Sequence, residues 1–436
     1  MKRLSFLVAQ IATTLLAAPV PAATIAITGG TVLTGVGEES IAGGTVIIRD
    51  GRIVAVGAGL PVPAGATIID ARGKTVTPGI IAGMSDLGID EVGGVRETND
   101  SGARTAPWSA ALDLSTAING NSVHIPVGRM GGVTRAVVGP GAESDIFGGQ
   151  GVVITLAQGA DPVMRPRAFQ FVELGENGAG LAGGSRPAAW ASLTSALAEA
   201  ARYAANPAGY DRGLSRDSLA KAPDIAALVP VLRGTMPLVV HAERASDIVQ
   251  VLGLKARYPA LRPILIGARE AWLVADRIAA AGVPVITLSL FDLPDDFETL
   301  ASSRSNVGLL QAAGVTVAMG LFGGDSAAQP RNLPYFAGNA VAQAAVPGAT
   351  GLTRGQALAT ITANPARIFG LTDLGTLSVG KRGDVVIWDG DPLDVTGAPI
   401  AVLIDGVAQP MRSRQTDLAE RYKSLGRSDL PLQYPR

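Results

Sequence analysis

The sequence predicts an α/β protein: a (β/α)8 barrel of the TIM type plus a small β-sandwich domain built from both termini. Three observations carry this. The 436-residue chain is 47% hydrophobic and 17% charged, which supplies a large core and excludes a disordered composition. Short β-branched runs separated by turns cluster near both ends of the chain. Between them, apolar strand-like runs alternate with helical patterns, the order expected of right-handed βαβ units around a parallel sheet.

Residues 1–22 read as an export signal. Lys2 and Arg3 precede the apolar stretch Leu4–Leu16, and Val20-Pro21-Ala22 offers small residues at a cleavage site. The stretch is shorter than the roughly 20 residues of a membrane span, so cleavage is expected and a retained anchor is the alternative. The mature chain is then expected to carry no transmembrane span, and to be periplasmic if the source has two membranes. Its formal charge moves from −1 to −3 when Lys2 and Arg3 leave.

Residues 23–77 form the N-terminal part of the β domain. Ile25-Ala26-Ile27, Thr31-Val32-Leu33, Thr45-Val46-Ile47-Ile48 and Arg52-Ile53-Val54-Ala55-Val56 read as strands, with Asp50-Gly51 as a hairpin turn. Residues 78–372 form the barrel. Pro237–Val240 precedes a helical Ala245–Ala256, Pro263–Ile266 precedes Glu270–Ala281, and Val283–Thr287 and Val315–Met319 continue the series. About 290 residues in this style suit eight βα units, although periodicity alone leaves a doubly wound open sheet as the alternative. Pro187 to Tyr203, with Trp190, Leu193, Leu197 and Ala201 at helical spacing, reads as an outer helix. Residues 373–411 return to the β domain through Asp384–Trp388, Ala401–Ile404 and the turn Asp405-Gly406, and residues 412–436 form a polar tail.

Charge and residue counts exclude several functions. Lys plus Arg (36) nearly balances Asp plus Glu (37), which gives no basic field for nucleic acid. With no Cys, neither disulfides nor thiolate zinc sites can form, and two His cannot build a four-histidine metal centre. Gly178-Ala-Gly-Leu-Ala-Gly183 spells a dinucleotide-binding pattern. It is followed by Gly184-Ser-Arg-Pro187, so a loop is expected rather than a helix start under a pyrophosphate. His124 is expected to be a hydrogen-bonded structural residue.

Thr75-Val-Thr-Pro-Gly-Ile-Ile-Ala-Gly-Met-Ser-Asp-Leu-Gly88 resembles the first barrel strand of the amidohydrolase superfamily. Val46–Gly57 resembles its opening strands, Ala357–Leu371 its last barrel helix, and Leu374–Trp388 its return to the β domain. Gly131–Thr134, Gly148–Gly151 and Leu238–Ile248 resemble the imidazolonepropionase-like branch.

The resemblance implies a hydrolase of carbon–nitrogen, non-peptide bonds in small or cyclic amides. It also implies one or two divalent metals at the C-terminal face of the barrel, where a metal lowers the pKa of water and polarises a carbonyl. The implied ligands are His-x-His on the first strand, Lys or Glu on the fourth, His on the fifth and sixth, and Asp on the eighth. Here the first pair falls on Met84 and Asp86, the fifth is kept as His241, the sixth falls on Gly267 and the eighth on Leu321-Phe322. Glu176 is the candidate for the fourth strand, and Asp325 for a shifted Asp on the eighth.

Met84 offers a thioether and Gly267 no side chain, so the binuclear centre is expected to be absent. The expected residual or vestigial metal site is His241, Glu176, Asp86 and Asp325. Met84, Glu243, Gly267 and Phe322 are expected to line the pocket. No cofactor is expected beyond a single divalent cation (Zn, Mn or Mg) that those donors could hold.

Two functions follow: a catalytically impaired hydrolase, or a non-catalytic subunit that binds a small ligand. Either could pair as a homodimer or with an active homologue.

Overall fold

The computed structural model describes residues 24–211, 221–322 and 327–423. The export signal, the end of the tail and Asp325 therefore lie outside the described residues. Five strands come from the N-terminal segment: β1 (Thr24–Leu33), β2 (Ser40–Arg49), β3 (Arg52–Ala58), β4 (Thr67–Asp70) and β5 (Thr75–Pro78). Asp50 and Gly51 join β2 to β3 with φ of 50° and 76°, the two left-handed residues that a tight hairpin needs.

Eight strands then form a nearly closed barrel: β6 (Ile80–Ser85), β7 (Val133–Val138), β8 (Phe147–Thr155), β9 (Val163–Glu173), β10 (Leu238–Ala242), β11 (Pro263–Gly267), β12 (Val285–Thr287) and β13 (Val317–Met319), each hydrogen-bonded to the next. Leu321 N donates to Met84 O at 3.0 Å, drawing the last strand against the first. Finally β14 (Val385–Asp389), β15 (Ala398–Ile404) and β16 (Val407–Ala408) join the first sheet, where β14 pairs antiparallel with β5. One eight-stranded sheet is thus assembled from both ends of the chain.

The barrel departs from strict βα alternation at its third strand. β8 runs antiparallel to both β7 and β9. The connections, residues 139–146 and 156–162, are shorter than the dozen or so residues a parallel crossover needs, so the chain can only turn back on itself.

The glycine-rich run also differs from expectation. Gly175–Leu181 is a short helix, and the long helix Arg186–Ala205 opens directly after it, with Ser185 Oγ accepting from Ala188 N. Pro187 sits in the first turn, where a missing N–H costs nothing, and the helix agrees with the outer helix expected from Pro187 to Tyr203. Leu193 and Leu197 turn inward and are fully buried.

Apolar side chains pack in three layers. One lies between the strands and the outer helices, a second fills the barrel interior, and a third underlies the β domain. No helix among the described residues is long and apolar enough to cross a membrane.

A buried ion cluster joins barrel to β domain. Arg135 on β7, 1% exposed, gives Nε and Nη2 to the two oxygens of Asp384 at 2.7 and 2.9 Å, and Nη2 also lies 2.9 Å from Asp405 Oδ1. Within the β domain, Trp388 Nε1 donates to Thr77 Oγ1 at 2.9 Å between the paired strands β14 and β5. Removing one partner strands the other charge in the core. Asp384→Ala is therefore expected to lose about 3–5 kcal/mol, read as a lowered urea midpoint. The Arg135→Met, Asp384→Leu double variant is expected to lose clearly less, and equal losses would overturn the assignment.

Candidate functional site

Parallel register builds the site. In β9, Phe169 and Phe171 turn into the barrel interior, so Glu173, two residues on, points the same way at the strand's C-terminal end. In β10, Val239 is interior and His241 follows with the same period. The β9–β10 pairing sets His241 directly beside Glu173. His241 Nδ1 lies 2.6 Å from Glu173 Oε1, and Nε2 lies 3.1 Å from Glu243 Oε1. Phe322, just past β13, packs its ring against His241 and against Phe171, at 5.1 Å between centroids in each case.

These residues line a cleft of about 450 Å³ at the C-terminal mouth, together with Glu176, Arg269, Phe291, Asp296 and Glu298. Arg269 N donates to Glu243 Oε2 at 2.8 Å, while its guanidinium reaches Asp295 at 2.5 Å and lies over the Phe291 ring. Arg186 stands behind the cleft and binds Glu298 and Asp247, each at 2.9 Å, and Glu176 at 3.6 Å.

Burial opposes a charge on His241, but the Glu173 and Glu243 carboxylates outweigh it and hold the pKa well above the ordinary 6.5. Each nitrogen of the ring, 17% exposed, lies within hydrogen-bond distance of a carboxylate, an arrangement that favours the protonated form. Burial raises the pKa of Glu298, offset in part by the Glu176 N–H and by Arg186.

Each residue singled out in the sequence has a definite place. His241, Glu243, Gly267, Phe322 and Glu176 share the cleft. Glu176 lies in the first turn of the helix Gly175–Leu181, and the end of the fourth barrel strand is taken by Glu173. Met84 is fully buried in the barrel interior rather than lining the cleft. A Cβ at Gly139 would collide with its sulfur. Asp86 follows β6 away from the cleft lining, and burial, with Asp90 nearby, pushes it up to about 7. His124 Nε2 is 2.9 Å from Glu91 O, as a structural histidine would be.

Sequence reasoning missed Glu173, Arg186 and Glu298. Glu173 closes the apolar run Phe169-Gln-Phe-Val, and its strand-end position was the available signal. Glu298 sits in an irregular loop, so nothing local marks it.

The donors do not fit the binuclear centre that the resemblance implies. Metal-binding imidazole must be neutral with a lone pair, and both nitrogens of His241 are engaged by carboxylates. Gly267 has φ of 82°, and a Cβ there would lie 2.5 Å from Glu243 Oε1 and 2.8 Å from His241 Cδ2. The space for a sixth-strand side chain is already filled. Among the described residues, no three His, Asp or Glu side chains form a group suited to an ion.

Residues 237–408 match the amidohydrolase family. Over 405 residues, 84% of this chain, the sequence is 25% identical to the amidohydrolase tasK of Hapsidospora irregularis. The match covers 40% of that relative, so the chain spans well under half its length. The crystal structure of an amidohydrolase from Thermotoga maritima MSB8 superposes with a TM-score of 0.77 at 23% identity, covering 89% of this chain and all of that one. Phenylurea hydrolase B superposes at 0.55 and 18% identity, covering 89% and 97% of the two chains. Together these matches support the amidohydrolase superfamily.

Two outcomes are expected at the site. Imidazole NMR should place the His241 titration above 6.5, and Glu173→Gln should move it down. A folded-state pKa raised by partners stabilises the protein fully below the unfolded value and ceases to do so as pH rises through the folded value. The stability gap between the native protein and His241→Gln should therefore narrow with rising pH in thermal melts. Separately, Gly267→Ala should lower stability by about 1–3 kcal/mol, from backbone strain at positive φ and the crowding of Glu243.

Proposed function

We propose that this protein keeps an amidohydrolase scaffold but binds a small molecule at the barrel mouth without the superfamily's metal centre. The observation that supports this most directly is His241 clasped by Glu173 and Glu243, which turns a ligand position into an ion cluster. Without a metal-activated water, hydrolysis of carbon–nitrogen bonds loses its nucleophile, and an imidazolium with both N–H groups engaged cannot replace it as a base. The cleft itself survives, lined by apolar side chains and by a cluster of charged groups, in the size range of small-molecule sites. Fold likeness to hydrolases does not by itself carry their chemistry.

On this reading the protein is a catalytically impaired member of the superfamily, placed by its motifs in the imidazolonepropionase-like branch. It is exported through residues 1–22, and acts alone, as a homodimer, or beside an active homologue. N-terminal sequencing of protein recovered from the cell envelope should find the chain starting after Ala22.

The central test is elemental analysis of protein purified without chelator. Zn, Mn and Mg are expected well below one ion per chain, with no measurable hydrolysis of dihydropyrimidine or imidazolone substrates. One ion per chain, lost together with hydrolysis in His241→Ala, would falsify the proposal.

A further inference from the structure

We infer that a second cleft, at the opposite end of the barrel from His241, binds a small organic dianion: a phosphate ester or a dicarboxylate on a compact apolar body. This goes beyond the reading of the mouth and does not depend on it.

The cleft holds about 310 Å³ and opens where four barrel strands begin. Pro237 precedes β10, Pro263 opens β11, Pro284 precedes β12 and Thr316 precedes β13. Its floor is apolar, with Leu261, Ile264, Val283 and Val315 buried beneath the strand ends. Lys255, Arg262 and Arg367 line it, and among the described residues no Asp or Glu does.

The two arginines come from different elements. Arg262 stands immediately before β11, and Arg367 lies in the last turn of the helix Ala363–Ile368. Neither guanidinium enters an ion pair or a hydrogen bond among the described residues. A third guanidinium crowds the same face. Arg165, partly buried, gives Nη1 to Phe369 O at 2.6 Å and Nη2 to Gly370 O at 3.2 Å, just past the end of that helix. Burial, and then the charge of Arg262, hold its pKa below the ordinary value.

The acceptors around the cleft are meanwhile already taken. Pro237 O, Arg262 O, Pro284 O and Thr316 O accept from the N–H groups of Gln170, Leu238, Leu265 and Val285. Ala281 O, at the end of the helix Ala275–Ala281, accepts from Lys255 Nζ at 2.5 Å. The hydroxyl of the partly buried Thr316 has no partner among the described residues. The cleft thus presents donors without acceptors. With Lys255 held at a helix C-terminus, two guanidiniums are left, and charge balance calls for two negative charges. Guanidinium forks match phosphate and carboxylate oxygens pairwise, and a phosphate monoester carries nearly two charges at neutral pH. The apolar floor suits the carbon body of such a ligand.

The test is calorimetry and thermal shift on the full protein, with phenyl phosphate and phthalate as probes. Comparison probes are benzyl alcohol without charge, benzylamine with the opposite charge, sulfate without a carbon body, and vesicles containing phosphatidic acid. Phenyl phosphate or phthalate is expected to bind and raise Tm, more weakly at high salt. Affinity should fall at least tenfold in Arg262→Gln and in Arg367→Gln, whose side chains are exposed and whose folding is checked by circular dichroism. Arg269→Gln, at the mouth, should leave it unchanged. No response to either dianion, benzyl alcohol, benzylamine or sulfate binding as tightly, or unchanged affinity in both base variants would overturn the inference. Loss of binding in Arg269→Gln alone would overturn it by placing the dianion at the mouth, and binding to vesicles without a response to the free dianions would overturn it in favour of a membrane headgroup. None of these outcomes bears on the metal content of the mouth.

Discussion

The mouth of the barrel is organised by one protonated imidazole held between two carboxylates. His241 can be charged in a largely enclosed place only because Glu173 and Glu243 flank it, and that demand propagates to the neighbouring strands. Glu173 must end its strand in register with His241. Glu243 must be oriented, and the Arg269 N–H fixes its second oxygen. Residue 267 must lack a side chain, because both partners occupy the volume a Cβ would take. The ring on the far side of His241 belongs to Phe322, just past the eighth barrel strand.

A second ion cluster, at the opposite end of the barrel, shows what a purely structural arrangement looks like. Arg135 is closed in by Asp384 and Asp405, and Asp384 Oδ1 also accepts from Asp405 N, so the buried Arg135–Asp384 pair is fully partnered, with the partly exposed Asp405 at its edge. It ties strand β7 to residues 249 positions away. At the mouth, by contrast, charged side chains line an open cleft. Polar groups buried for stability are expected to be satisfied internally, whereas groups left for a ligand are not. This contrast distinguishes a structural cluster from a ligand cleft without appeal to any relative.

Much of this was legible in the sequence because hydrophobic periodicity reports element type. Runs such as Leu238-Val-Val and Pro263-Ile-Leu-Ile became strands, and Asp50-Gly51 and Asp405-Gly406 became turns with left-handed residues. Strand direction is not encoded in such runs, so β8 was unmarked as antiparallel, although the short connections on either side of it held that information. The helix Arg186–Ala205 was legible from Pro187 to Tyr203 by its apolar spacing, whereas the short helix Gly175–Leu181 before it was read as a loop. Within the site, His241 and Gly267 were identifiable by strand position. Glu173 was passed over for Glu176 because their difference of three residues decides between strand end and helix, and only backbone register separates the two. Glu298 is brought to the cleft by an irregular loop and by a long-range pairing with Arg186, neither of which leaves a local pattern.

If position 267 once carried a ligand, as the proposal holds, its loss and the filling of its space are coupled, and the coupling has a direction. A histidine introduced at 267 would meet Glu243 and His241 before it met any ion, so it could not ligate unless Glu243 moved. Moving Glu243 would in turn release Arg269 N and remove one of the two charges that keep His241 protonated. A first-strand ligand would have to displace Met84 from a packed interior, at the cost of a core contact rather than a surface one. Each reversal is uphill until the others are made, since residues in one network do not contribute independently. Apart from Met84, the apolar layers of the barrel beneath and the ion cluster at its base take no part in these changes. That arrangement would let a scaffold keep its shape if the chemistry at its mouth changed, as the proposal holds.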